Sequence, residues 1–231
     1  MHVIILAAGR GTRLGGDLPK PLSPIAPGRT LLGNQVEILS NLVGRDRIIL
    51  VLGHRADEII AAHPDLMYVY NERYAQTNTA KSLLGALNKI DDDALWTNAD
   101  LYFEEPAAKR LLDAADQGTR LLVDRSQVGD EEIKYTTHDD GSVAQLSKAV
   151  QSPLGESLGM QIITKKDRLA LVEQLELVSD QDYFEKALEN GTLAGAIRAM
   201  PIALEGEYCR EVDFPEDLKA VQEHLAQGAT S

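Results

Sequence analysis

The chain opens with a short apolar run, His2 to Leu6, that passes directly into Ala7-Ala8-Gly9-Arg10-Gly11. Unbroken apolar residues followed by a glycine turn describe a strand buried on both faces that ends in a tight loop. A glycine loop is thereby placed at the C-terminal end of a buried first strand. Apolar residues from Leu31 to Val43 recur at helical spacing, Ile48 to Leu52 reads as a second buried strand and Met67 to Tyr70 as a third. A helix is expected from about Thr77 to Ile90, then a strand over Ala94 to Thr97, a helix over Pro106 to Asp116 and a strand over Arg120 to Val123. This alternation is the rhythm of βαβ units. It predicts an α/β fold whose first half is an open, mostly parallel sheet with helices on both faces.

The pattern changes after about Asp124. Ile133 to Thr137 and Ser142 to Lys148 read as antiparallel strands joined through Asp139-Asp140-Gly141, which makes a small antiparallel extension on the acceptor side. Further strands are expected at Leu158 to Ile163 and Gly195 to Ile202, with helices near Asp167 to Leu175, Asp182 to Glu189 and Pro215 to Ala226. No linker or repeat divides the 231 residues, so one domain is expected, with 1–124 as a nucleotide half and 125–231 as an acceptor half. Gln227 to Ser231 reads as a small polar tail, and both ends read as free of a fused partner.

Charge narrows the partners. A net charge of −13 argues against nucleic acid, whose binding needs clustered Lys and Arg, so anionic substrates must be met by a local basic pocket. The start lacks a basic signal-peptide region and no apolar run reaches the roughly 18 residues of a membrane span, so a cytoplasmic protein is expected. The single cysteine, Cys209, excludes an internal disulfide and reads as a half-buried strand residue. The oligomeric state stays open, a homodimer included.

The loop after the first strand carries the chemistry. Leu6-Ala7-Ala8-Gly9-Arg10-Gly11-Thr12-Arg13-Leu14 is followed by Pro19-Lys20-Pro21-Leu22. Backbone N–H groups around these glycines can approach a polyphosphate, and Arg13 and Lys20 can neutralise charge on the α-phosphate and the leaving pyrophosphate. Two other glycine loops do not fit: Leu14 stands where a dinucleotide fingerprint needs a third glycine, and Gly16 precedes Asp17 where a P-loop needs Gly-Lys. Asn98-Ala99-Asp100 ends a strand where ligands of an open α/β sheet gather, so Asp100 is either a hard oxygen ligand or a strand terminator. In Glu211-Val212-Asp213-Phe214-Pro215 the two acids are two residues apart and face one side, yet Asp213 with Glu216 is equally a capping box for the last helix.

The motif Leu-Ala-Ala-Gly-x-Gly-Thr-Arg-Leu followed by Pro-Lys-x-Leu resembles the nucleotidyltransferase family of sugar-1-phosphate pyrophosphorylases and small-molecule cytidylyltransferases. The resemblance implies a Rossmann-like domain in which Leu6, Ala7, Ala8, Gly9, Gly11 and Thr12 bind a nucleoside triphosphate, and Arg13 and Lys20 assist transfer to a small phosphorylated or phosphonylated acceptor. It further implies Mg2+ held by Asp100, Asp213 and Glu211. The stretch Asn71 to Leu83, with Asn78, Thr79 and Ser82, is similar to phosphocholine, inositol-phosphate and phosphonate cytidylyltransferases and points to CTP; a plain helix cap at Thr77 or Asn78 fits the same letters. The connector Gly15-Gly16-Asp17-Leu18 instead resembles the loop of N-acetylglucosamine-1-phosphate uridylyltransferases. Elements around Asp130-Glu131-Glu132-Ile133-Lys134, Lys148 and Glu156 resemble family segments near the acceptor, although Lys134 and Lys148 read equally well as solvated strand-edge lysines.

With 5% aromatics and its one tryptophan, Trp96, in a buried strand, the chain is poor in cage residues for choline, which favours a phosphonate or phosphopolyol acceptor. A nucleotide-sugar pyrophosphorylase and a non-catalytic nucleotide-binding module are the competing readings.

Overall fold

The computed structural model describes residues 1–15, 17–126, 128–129 and 132–228. The apolar opening forms β1 (His2–Ala7), whose neighbours are β4 (Ile48–Leu52) and β6 (Ala94–Asn98), both parallel to it. Outside β4 lies β5 (Met67–Tyr70), also parallel. The chain thus runs from β1 outward to β5 and then returns past β1 to β6. That reversal makes the C-terminal ends of β1 and β6 a topological switch point, where an open α/β sheet parts to leave a crevice.

The strands alternate between two cores. Ile4 and Leu6 of β1 pack with α3 (Thr79–Leu87), α5 (Lys165–Leu177) and α6 (Phe184–Leu193), while Val3, Ile5 and Ala7 pack with α1 (Leu31–Val43), α2 (Ala56–Ala62) and α4 (Glu105–Asp113). Buried on both faces, β1 needs apolar residues at every position, which is why it reads as a continuous run. A third, smaller cluster seats α7 (Pro215–Gly228) through Val221 against Ile25, Leu31 and Tyr102.

Several boundaries match the sequence reading, α1, β4 and β5 among them, and several do not. The strand expected at Arg120 to Val123 exists as β8 (Arg120–Asp124), but it does not continue the parallel series. The long strand β11 (Gly155–Ile163) lies between β6 and β8, antiparallel to both, so the second half of the chain supplies a central strand of the nine-stranded sheet. The expected hairpin forms from β9 (Lys134–Thr137) and β10 (Val143–Ser147), with Gly141 at a φ of +80° in its turn. The strand expected from Gly195 is shorter, β12 (Met200–Ala203), because Gly195 takes a φ of +67° and its N–H bonds back to the Thr192 carbonyl as α6 ends. The helix expected from Thr77 starts at Thr79, since Asn78 is its N-cap, and the helix expected through Asp116 stops at Asp113 before a separate 3-10 turn. Three short strands and α2 had no expectation, β2 (Pro24–Ala26), β3 (Arg29–Thr30) and β7 (Leu101–Phe103), while the strand residue expected at Cys209 lies in β13 (Cys209–Glu211). No helix among the described residues is long and apolar enough to cross a membrane. Gly16, Asp130 and Glu131 of the motifs above, and 229–231 of the polar tail, lie outside the described residues.

Candidate active site

A cleft of about 900 Å³ opens at the switch point, floored by the ends of β1 and β6. The turn after β6 is held from several directions. The Ala99 N–H donates to the Leu6 carbonyl at 3.1 Å, and the buried Gln35 amide donates to the carbonyls of Asn98 at 2.9 Å and Leu101 at 2.6 Å. The chain then doubles back as β7, to which β13 adds antiparallel with Glu211 opposite Leu101. One more backbone bond, from the Val212 N–H to the Asp100 carbonyl at 2.9 Å, sets the C-terminal acids beside Asp100 across more than a hundred residues of sequence. Val212 points into the third core cluster while Glu211 and Asp213 line the cleft, the alternation a strand requires.

The glycine loop closes the other side. Gly11 has a φ of +56°, and a Cβ there would stand 2.6 Å from the Lys20 Cβ, so only glycine permits this approach. Lys20 opens the 3-10 turn Lys20–Leu22 between Pro19 and Pro21 and is 9% exposed. Its ammonium donates to Asp100 Oδ2 at 2.8 Å and to Asp213 Oδ1. Burial works against the charge on Lys20, but Asp100 and Asp213 outweigh it and hold the group above its ordinary range. Burial likewise opposes ionisation of Asp213, and Lys20 and Arg13 reverse that, keeping its carboxyl below the usual range. Arg13 donates to Asp213 Oδ2 at 3.2 Å while more than half exposed, with its guanidinium carbon 5.8 Å from the Phe214 ring centroid.

The capping alternative for Asp213 is decided by its neighbour. Asp217 accepts from the Phe214 N–H at 2.9 Å and the Asp213 N–H at 3.2 Å, so it caps α7 and leaves the Asp213 carboxylate to the cleft. Glu216 takes no part in these bonds. Arg210 pairs with the same Asp217 at 2.8 Å.

Whether these acids suit a magnesium ion is tested by their unmet chemistry. Asp100 Oδ1 and Asn98 Oδ1 are buried without a hydrogen-bond partner among the described residues. Burial, and then the charge of Asp100, push Glu211 well above the carboxylate range, a cost that a divalent cation beside it would remove. Among the described residues no three His, Cys, Asp or Glu are grouped to hold a metal by themselves. Magnesium does not need such a cage, since it keeps waters and completes its shell with phosphate oxygens. The donor set therefore fits an ion that arrives with a polyphosphate.

Of the remaining sequence candidates, Leu6, Ala7, Gly9, Gly11, Thr12, Asn78, Thr79, Lys148 and Glu156 line the cleft. Three do not. Ala8 is packed into the core, with its carbonyl accepting from the His54 N–H. Ser82 is 5% exposed, inside α3, and its hydroxyl accepts from the Asn71 amide at 3.0 Å, so it braces the loop that presents Asn78. Lys134 lies on β9 and donates to the Lys148 carbonyl at 3.4 Å. Asn78 itself is a cap, accepting from the Thr79 N–H at 2.8 Å, and still borders the cleft. Sequence reasoning passed over Glu185, Asp124 and Arg210, which also line it; none belongs to the motifs quoted above, and only the fold brings them together.

The similarity of the chain to known proteins agrees with this geometry. Over 234 residues it is 30% identical to the bifunctional protein GlmU of Methanococcus maripaludis, an alignment that covers 94% of this chain and 53% of that one. It thus spans about half the length of that relative. Over 134 residues it is 32% identical to the CMP-5'-(3-aminopropyl)phosphonate synthase of Streptomyces rubellomurinus, covering 54% of this chain and 21% of the relative. The inositol-1-phosphate CTP transferase of T. maritima superposes with a TM-score of 0.79 at 20% identity, over 97% of this chain and 94% of that one, and so shares the fold. Residues 3–176, which hold the glycine loop, Lys20 and Asp100, match the MobA-like NTP transferase domain, and the chain belongs to that family.

Proposed function

We propose that the chain is a magnesium-dependent nucleotidyltransferase that moves a nucleoside monophosphate, CMP from CTP before others, onto a small phosphonate or phospho-alcohol acceptor and releases pyrophosphate. The observation that carries this reading is the junction of Lys20 with Asp100 and Asp213 beneath the glycine loop. An oxygen of the acceptor's phosphonate or phosphate attacks the α-phosphorus in line. One P–O bond forms, the bond to the α,β-bridging oxygen breaks, and pyrophosphate leaves with the electron pair. No proton need be taken from an ionised acceptor, so the protein's part is to position the groups and stabilise charge.

In this reading the glycine loop and Arg13 hold the triphosphate, and Lys20 turns from its two carboxylates toward the oxygens that gain charge in the transition state. Asp100 and Asp213, with Glu211 behind them, would hold magnesium, which when bound neutralises phosphate charge and aligns the α-phosphorus. Asn78 and Thr79, which line the cleft, are assigned to the base. The CTP preference is supported by the fold neighbour, a CTP transferase, and by the relative named as a CMP-5'-(3-aminopropyl)phosphonate synthase.

A second reading, a nucleotide-sugar pyrophosphorylase, is favoured by the similarity to GlmU along nearly the whole chain. Pyrophosphate release with magnesium, crossing CTP, UTP, dTTP, GTP and ATP with phosphonates, phospho-alcohols and sugar 1-phosphates, separates the two. Release with CTP and a non-sugar acceptor supports the first reading. Release with UTP and a sugar 1-phosphate replaces it with the second.

A further inference from the structure

The carboxylate oxygens of Asp100 and Asp213 are largely held by the chain's own cations. Lys20 donates to Asp100 Oδ2 at 2.8 Å and to Asp213 Oδ1, and Arg13 donates to Asp213 Oδ2 at 3.2 Å. Asp100 Oδ1 has no hydrogen-bond partner among the described residues. Three of the four oxygens that these acids could offer a divalent ion are therefore taken. The Lys20 ammonium bridges the two carboxylates, which is where an ion shared between them would sit, and with its side chain 9% exposed its charge is little screened by water. A divalent cation approaching the same acids meets that charge at close range. Displacing the ammonium with nothing to receive it would leave a buried cation unpaired, which is costly.

Lys20 is held so that its side chain, and not its backbone, can exchange partners. It stands between Pro19 and Pro21, its carbonyl accepts from the Ser23 N–H at 3.0 Å, and the Leu22 N–H bonds to the Pro19 carbonyl at 2.8 Å. The stem runs along Gly11, where an added Cβ would lie 2.6 Å from the Lys20 Cβ and 3.3 Å from its Cδ. The ammonium is thus tethered between the two acids and a loop whose N–H groups suit phosphate. Arg13, on the same loop and more than half exposed, is bound to Asp213 by a pair that costs little to break. A triphosphate offers both cations new anionic partners, so they can leave the carboxylates without becoming unpaired. A metal ion arriving by itself offers them none.

We propose that Lys20, supported by Arg13, forms an autoinhibitory contact that holds Asp100 and Asp213 closed to divalent metal until a nucleotide's phosphates draw the two cations away. Metal and nucleotide then enter together, each raising the affinity for the other. This rests on the nucleotidyl-transfer reading and adds a regulation of the same site.

The test is the binding of Mn2+, a paramagnetic substitute for magnesium, to the nucleotide-free protein, read by electron paramagnetic resonance. Wild type is compared with Lys20→Gln, Lys20→Arg and Arg13→Gln. Lys20→Gln should bind Mn2+ about tenfold or more tightly than the wild type, because a poorly screened cation has been removed from beside the acids. Lys20→Arg keeps the charge and should stay as weak as the wild type, and Arg13→Gln should show a smaller gain. Adding Asp100→Asn to Lys20→Gln should abolish the gain, which places the bound ion at these acids. Unchanged or weaker Mn2+ binding in Lys20→Gln overturns the proposal, and so does an equal gain in Lys20→Arg, which would trace the effect to shape instead of charge. Where Lys20→Gln does not fold, Arg13→Gln decides: a gain supports the contact and its absence overturns it. Pyrophosphate release by the wild type with CTP, magnesium and the acceptors is measured alongside. Release without the Mn2+ effect removes the contact and leaves nucleotidyl transfer standing, whereas silence with every nucleotide and acceptor removes both.

Discussion

At the scale of single residues, the site turns on one lysine placed between two aspartates by a glycine that lets it come close. Lys20→Ala and Asp100→Ala are each expected to lower turnover by about a hundredfold or more, because each removes stabilisation of developing charge. Steady-state pyrophosphate release checks both, and near-normal rates in the pair would sink the assignment. Gly11→Ala forces a left-handed conformation on a residue with a Cβ and drives it against Lys20, so it should cost about 1–2 kcal/mol of stability along with activity. Denaturant unfolding measures the first and the same assay the second. Gly11 and Lys20 were legible in the sequence because they stand close together, in a glycine loop and a Pro-Lys-Pro after one apolar run. Glu185 was not, since nothing in Tyr183-Phe184-Glu185 distinguishes a cleft residue from the first turn of any helix.

At the scale of elements, the C-terminal helix shows how capping and chemistry divide between neighbours. The sequence offered Asp213 both roles, and the fold gives the cap to Asp217. Asp217→Ala should therefore destabilise the protein by about 1 kcal/mol, as loss of a side-chain cap does, with some further loss from the Arg210 pair. Asp213→Asn should leave the cap of α7 intact, lose stability only through the charge removed from beside Lys20, and still abolish most turnover. A variant pair with the opposite pattern would return Asp213 to a structural role. The elements most readable in advance were α1, β4 and β5, where periodicity runs without interruption. The three-residue strands β7 and β13, which bring Glu211 to the turn bearing Asp100, carry too few residues for any period to be seen. They owe their existence to pairing across the fold.

At the scale of the whole molecule, β11 reaches between β6 and β8, so the chain's later half completes the sheet that its first half begins. No local pattern announces such an insertion, because strand order is a matter of long-range pairing; the sequence displayed the βαβ rhythm but not where β8 would go. The insertion carries Glu156 and Ser157 into the cleft, which Glu185 of α6 also lines. These buried acids have a measurable consequence. Glu156 and Glu185 are raised from near 4.5 to about 7 and about 8, so between these values the folded state binds more protons than the unfolded one. Stability of the metal-free protein should therefore fall as pH rises from about 4.5 to about 8, and Glu185→Gln should flatten that fall. Thermal melting across this range checks the sign, and a rising curve from these groups would contradict the buried placement of the acids.

The central claim, that the cleft joins a nucleotide's α-phosphorus to an acceptor oxygen, is tested most directly by phosphorus NMR of the wild-type protein with magnesium, CTP and the acceptor panel. The account predicts free pyrophosphate together with two new, mutually coupled resonances from a P–O–P linkage between CMP and an acceptor, absent with Asp100→Ala. Hydrolysis of CTP without that linkage, or no change in any spectrum, would contradict it.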